Sequence, residues 1–242
     1  MIYATATQKG GTGKTTTAAA LLQAAASDGK KVLAVDLDPQ GNLTFALDGN
    51  ADHAGAFDLF NGATAGAITQ ATPQGINLLS ASPNLQTITS APGSARRLSD
   101  ALKPIAGDYD IIIIDTPPTT GELQYNAMYA ADGLIIPLTT DPYSVQSLYQ
   151  TIDTARELMS YSDNLHSLAG IITRYEGNTN AAKYIRQTLE NLFAENKIKY
   201  LGTIRKAIAI QEAAMFQKSL YDYAPKSKPA QDYIDAYKKL IN

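Results

Sequence analysis

An α/β fold, a doubly wound and mostly parallel sheet of about seven strands with helices on both faces, is what this sequence predicts. Three observations lead there. Short runs rich in Ile, Val and Leu alternate with longer amphipathic stretches, the pattern of consecutive right-handed βαβ units. Some of these runs, Ile111-Ile112-Ile113-Ile114 among them, are continuously apolar, as parallel strands covered on both faces must be. A Gly-rich segment at residues 9–16 stands between the first apolar run and the first helix-forming run.

In chain order, strands are expected at Ile2–Thr7, Val32–Asp36, Ile76–Ser80, Ile111–Asp115, Leu134–Thr139, Leu168–Thr173 and Tyr200–Ile204. Helices are expected at Thr15–Ser27, Ser94–Ile105, Gly121–Ala131 and Ser144–Tyr161. Three more should follow at Asn180–Asn196, Ala207–Phe216 and Pro229–Leu240. The segment Asp48–Pro73, rich in Ala, Gly and Thr, reads as a surface excursion with one short helix near Phe57–Phe60. No repeat, low-complexity tract or linker divides the chain, so residues 1–242 are expected to form a single domain.

The P-loop is the segment Lys9-Gly10-Gly11-Thr12-Gly13-Lys14-Thr15-Thr16. Strand, Gly-rich loop and helix in that order are the context that phosphate binding needs. Glycines let the backbone bend until successive N–H groups point at phosphate oxygens. The helix that follows adds its N-terminal dipole to the same anion site. Lys14 supplies a point charge for β- and γ-phosphates, and the Thr15 hydroxyl is placed to ligate Mg²⁺. ATP and Mg²⁺ are therefore the expected cofactors. The usual pattern would put glycine at position 8, where this chain has Gln8, and the loop opens instead on a second lysine, Lys9.

In open parallel sheets, ligands sit outside the carboxyl ends of strands. The second strand runs into Asp36-Leu37-Asp38-Pro39-Gln40-Gly41-Asn42, and the fourth into Asp115-Thr116-Pro117-Pro118. Asp115, closing an Ile-rich strand, is placed to act on Mg²⁺ through a water. Asp36 is a second carboxylate at the same edge, suited to orient the attacking water or accept its proton. Thr15, Asp36 and Asp115 are thus the candidate metal-site residues, and Lys9, Lys14 and Asp36 the candidate catalytic ones.

Composition narrows the class. The chain has no cysteine, which excludes disulfides, iron–sulfur clusters and thiol chemistry. No window approaches the roughly 18 uninterrupted apolar residues of a membrane span. The first strand begins at residue 2, leaving no room for a signal peptide, and a cytoplasmic protein is expected. Net charge is −3 but unevenly spread: residues 1–182 carry 9 Lys/Arg against 17 Asp/Glu, and residues 183–242 carry 11 against 6. A basic C-terminal quarter on an acidic body reads either as a face that meets a polyanion or as a solvated surface.

Lys-Gly-Gly-Thr-Gly-Lys-Thr-Thr, then Val-Asp-Leu-Asp-Pro-Gln-Gly-Asn, then Ile-Ile-Asp-Thr-Pro-Pro resemble the three signatures of the ParA/MinD ATPases with a deviant Walker A motif. The ParA branch, which partitions plasmids and chromosomes, is the best match. Asp38-Pro39-Gln40-Gly41-Asn42 and the segment Tyr221–Ser227, similar to a Tyr-Asp-Pro-x-Ser region of that branch, favour it. The resemblance implies that Lys9 is the signature lysine, reaching the partner's phosphates in a nucleotide-sandwich homodimer that forms with ATP. It implies a hydrolytic role for Asp36, a nucleotide-sensing segment from Asp38, and base contacts from Thr173, Arg174 and Ile204. Gly10, Gly11, Thr12, Gly13 and Thr16 complete the expected nucleotide site.

The resemblance also implies non-specific DNA binding by the ATP dimer. Arg205, Lys206, Lys218, Lys226 and Lys228 are the expected DNA residues, although Asn178 stands where some relatives carry an arginine. A small ParB-type centromere-binding adaptor would stimulate hydrolysis and release the dimer from the nucleoid. The chain would be a short form, without an N-terminal helix-turn-helix. A ParA-like ATPase that positions a protein cargo is the alternative within the same chemistry. A MinD-like membrane-associated ATPase is a further one, but the final residues read as a packing helix with Ile234, Tyr237 and Ile241 on one face, so no membrane is expected.

Overall fold

The computed structural model describes residues 1–91, 93–162 and 164–242. Its strands are β1 (Ile2–Thr5), β2 (Val32–Asp36), β3 (Gln70–Ala71), β4 (Asn77–Leu79), β5 (Ile111–Asp115), β6 (Gly133–Leu138), β7 (Ser167–Tyr175) and β8 (Lys199–Arg205). They form one sheet in the order β3-β4-β2-β5-β1-β6-β7-β8. Every pairing is parallel except β3 with β4. β1 therefore lies mid-sheet, between β5 and β6.

The additional eighth strand, β3, falls inside the expected excursion. Two residues carry no readable period, and pairing with β4 creates this strand. β1 stops at Thr5 rather than Thr7; Ala6 still donates to the Ile135 carbonyl before the chain leaves the sheet.

The helices are α1 (Lys14–Ser27), α2 (Asn42–Ala46), α3 (Ala56–Phe60), α4 (Ala65–Ile68), α5 (Arg97–Leu102) and α6 (Glu122–Ala130). They continue with α7 (Ser144–Met159), α8 (Asn180–Glu195), α9 (Ile208–Met215), α10 (Leu220–Tyr223) and α11 (Lys228–Ile241). The short α2, α4 and α10 have too few residues to show a helical period. The helix expected over Ser94–Ile105 opens as a 3₁₀ turn and becomes α only at Arg97–Leu102. Pro104 has no N–H to carry the helical bond pattern onward, which matches the early stop although Lys103 before it keeps helical backbone.

The sheet is covered on both faces, and the isoleucine run shows how. Ile112 and Ile114 face one core, packed with residues of α3 and α5–α8, while Ile111 and Ile113 face the other, with α1, α2 and α9–α11. All four are buried. That explains a run without polar alternation.

α11 packs against α1 and β8 through Tyr233, Ala236, Tyr237 and Leu240. The packing face expected from the sequence is turned slightly: Tyr237 is buried and Ile234 half-buried, but Ile241 is exposed. Among the described residues, no helix is long and apolar enough to cross a membrane.

Candidate functional site

The loop after β1 is shaped by two glycines in left-handed backbone, Gly11 at φ 72° and Gly13 at φ 89°. A side chain at Gly13 would be strained by this backbone, although its Cβ would meet Thr173 Oγ1 only at an ordinary contact of 3.5 Å. Gly13 is the N-cap of α1 and no side chain caps it. The first N–H groups of the helix are thus left for an outside acceptor, and with the dipole they make an anion site.

The end of β7 braces this loop. Thr173 Oγ1 donates to the Thr12 carbonyl at 2.6 Å, and Arg174 Nη1 donates to the Gly11 carbonyl at 3.1 Å. Arg174 itself adopts a positive φ of 53°, a strained choice for a long side chain. Thr173, Arg174 and Ile204 were expected around a base, and all three line the cavity that opens beside the loop.

That cavity has a volume of about 770 Å³ and runs from Gly11–Thr16 past Asp38 to α9. Lys14 is almost wholly buried in its wall, with its ammonium 3.5 and 3.4 Å from the carbonyl oxygens of Thr7 and Lys9. Burial holds the Lys14 ammonium below its ordinary pKa, although Asp115 and Asp38 pull the other way.

Thr15 Oγ1 donates to Asp115 Oδ2 at 2.6 Å, and Thr5 Oγ1 holds the other oxygen, Oδ1, at 2.8 Å. Two hard oxygens thus meet at the start of α1 on the strand-end side. Burial raises the Asp115 carboxyl against the lowering effect of Thr15, Thr5 and Lys14. Among the described residues no cluster of three or more His, Cys, Asp or Glu could hold a metal. Mg²⁺ sites that share the ion with phosphates and water need only one or two protein ligands, so the Thr15–Asp115 pair fits such an ion.

Asp36 corrects the expectation placed on it. Its side chain has no exposure and does not line the cavity. Oδ2 accepts from both the amide and the hydroxyl of Thr44 at 2.8 Å, and Oδ1 accepts from the Asp38 amide at 3.1 Å. Like Asp115 it lies behind the cavity lining, but its bonds run to Thr44 and Asp38 and not to Thr15. It anchors the segment that follows β2, and that segment delivers Asp38 to the cavity wall.

Lys9 and Gly10 do not line the cavity either. The Lys9 ammonium is ion-paired to Asp141 and lies 5.8 Å from the centre of the Tyr143 ring. The expected DNA residues divide into two groups. Arg205, Lys206 and Lys218 line the nucleotide cavity. Arg205 also clamps Asp232 through Nε at 2.9 Å and Nη2 at 2.6 Å, and Lys206 pairs with Glu176 at 3.0 Å. Lys226 and Lys228 are exposed, and among the described residues neither has an ion pair.

Sequence reasoning missed Asp38 as the cavity carboxylate, Thr44 as the partner of Asp36, and Asp141. For Asp38 the spacing alone misleads, since residues two apart share a face on a strand, and β2 ends at Asp36 before the chain turns. Nothing local marks Thr44 or Asp141, whose partners are distant in sequence or ordinary in type.

Comparison with known proteins agrees with this geometry. A family model described as an AAA domain matches residues 1–167. The chain is 34% identical over 232 residues to the chromosome-partitioning ATPase Soj of Thermus thermophilus, covering 95% of this chain and 91% of that protein. It is 30% identical over 245 residues to the chromosome partitioning protein ParA of Myxococcus xanthus, covering 97% and 85%. Among solved structures, it is similar to cobyrinic acid a,c-diamide synthase of Mycobacterium smegmatis with bound ATP analogue and magnesium, with a TM-score of 0.83 at 28% identity over 99% and 93% of the two chains.

Proposed function

This chain belongs to the ParA branch of the ParA/MinD ATPases, and from that premise we propose that it is a partitioning ATPase that pairs on ATP, holds DNA non-specifically and lets go after hydrolysis. The observation that carries the reading is the meeting of the uncapped α1 start, the buried Lys14 and Thr15 on one cavity, with Asp115 bonded directly behind Thr15. These residues fit ATP with Mg²⁺, and the similar solved structure holds an ATP analogue with magnesium.

When bound, Mg²⁺ would neutralise charge on the β- and γ-phosphates and leave the terminal group open to attack by water. Lys14 and the amides of Gly11–Thr16 would hold the phosphates, and Thr15 with Asp115 would hold the ion. Asp38 is the carboxylate on the cavity wall, and it would orient the water and take its proton. Thr173, Arg174 and Ile204 would flank the base. Lys9 would reach the phosphates of a second copy, joining two nucleotides in a homodimer. All of residues 1–242 act as one ATPase unit in this scheme.

Lys226 and Lys228 supply the exposed cations of the DNA face, and a small ParB-type adaptor would complete the switch. Work at the nucleoid in the cytoplasm, with weak turnover in isolation, follows from the same scheme. The test is ATP turnover by the purified chain alone, with DNA, with the adaptor, and with both. Marked stimulation by DNA and adaptor together is the expected result; turnover indifferent to both would remove the partition scheme.

A further inference from the structure

Asp141 is the most heavily engaged carboxylate outside the nucleotide cavity. Besides the Lys9 ammonium it accepts the Thr139 hydroxyl, the Ser144 hydroxyl at 3.1 Å and the Tyr143 amide at 3.0 Å. Thr139 directly follows β6 and Ser144 opens α7, so the acceptor is built on the ends of two rigid elements. Burial acts to raise the Asp141 carboxyl, but the bonds from Lys9, Thr139 and Tyr143 outweigh it and hold the group below its ordinary value. Tyr143 is 70% exposed, and its ring stands beside the Lys9 ammonium. Lys9 is thus seated on its own subunit by a preformed anion and an aromatic wall.

We propose that Asp141 is a positioning residue that parks Lys9 in the unpaired chain and thereby sets how much nucleotide is needed before two copies associate. The proposal rests on the reading that Lys9 serves a second subunit's phosphates. To do that, the ammonium must leave Asp141, and a triphosphate carries enough charge to draw it away. Three other donors keep the carboxylate in place after departure, so the exchange is reversible. Without nucleotide the lysine stays home, and unproductive pairing is suppressed.

The experiment uses the full chain and a non-hydrolysable ATP analogue with Mg²⁺, following the dimer fraction by analytical ultracentrifugation. Asp141→Asn keeps the acceptor for the Tyr143 amide and removes the charge. The analogue concentration for half-maximal dimer should fall by about two- to fivefold per subunit, the range of a partly exposed ion pair. Asp141→Glu should restore the original threshold, and ADP affinity of the monomer should stay unchanged in both. Asp141→Ser, should Asn disturb folding, must lower the threshold likewise. An unchanged or raised threshold in the uncharged variants overturns the parking role. Lys9→Ala separates the two layers: if it still dimerises with analogue, the trans role of Lys9 fails and the proposal with it. If Lys9→Ala stays monomeric while Asp141→Asn leaves the threshold in place, the parking role alone is lost.

Discussion

Asp36 and Asp115 stand opposite each other as register partners on β2 and β5, and neither has any solvent exposure. Their neighbours set them apart. Asp115 is bonded toward α1 by Thr15, whereas Asp36 is bonded toward α2 by Thr44. One carboxylate is thus tied to the helix after the Gly-rich loop and the other to the segment after β2.

Replacing Asp38 and Asp36 should therefore have different consequences. Asp38→Ala is expected to bind ATP and pair but to hydrolyse at least about 100-fold more slowly, as loss of a positioned proton acceptor would cause. Asp36→Ala strands the amide and hydroxyl of Thr44 without an acceptor, which costs about 1–3 kcal/mol. Calorimetric melting should show that loss as a drop of several degrees in Tm, together with turnover measured below it.

The Asp36–Asp115 pair also gives a pH dependence in Mg²⁺-free protein. Burial raises Asp36 most, and repulsion from Asp115 adds to it, against the bonds from Thr44 and Asp38. Folded-state values above the unfolded ones mean that the folded chain keeps protons that the unfolded chain releases. Stability should be greatest below the ordinary carboxylate range and fall as pH rises toward neutrality, by up to about 1.4 kcal/mol per pH unit per carboxyl. Urea denaturation from pH 5 to 8 checks the sign, and Asp36→Asn should flatten the slope.

Lys14→Ala removes the one lysine buried in the cavity wall beside the loop. ATP affinity measured by calorimetric titration should fall about 100-fold, since charge-assisted bonds to two phosphates are lost. Normal affinity in this variant would dismiss the nucleotide assignment.

For DNA, the double change Lys226→Glu and Lys228→Glu should weaken binding to unrelated duplexes alike. The slope of log K against log salt should shrink by about two, one for each phosphate contact removed. Arg205→Glu should act differently, lowering Tm because it sets two carboxylates against each other at Asp232.

How much was legible follows from which signals are local. Continuous apolar runs and the Lys9–Thr16 segment carry their own meaning, and β2, β5, α1 and the loop were placed within a residue or so. The place of Asp115 at the sheet edge was legible because it closes an apolar strand. Asp36 closes one as well, and what separates it from Asp115 is Thr44, eight residues on and reached only after a turn. The basic quarter of the chain was read from charge count. Count is blind to Asp232 and Glu176, which neutralise Arg205 and Lys206 from other elements. Lys9 was recognised by its place in the loop, but its resting partner at Asp141 lies five strands further along the sequence.

The last helix grips the first. Tyr233 reaches Thr17 at 3.4 Å, Tyr237 donates to Asp28 at 2.9 Å, and Tyr221 just ahead of α11 donates to the Ala20 carbonyl at 2.9 Å. Trimming the chain back to Ser227 would therefore strip the lid from the phosphate-binding helix and lay its alanine-rich flank open to water. A fusion partner joined at Asn242 would sit one helix away from the nucleotide machinery, and a tag is better carried on a solvent-facing bend such as Gly62 or Gly75.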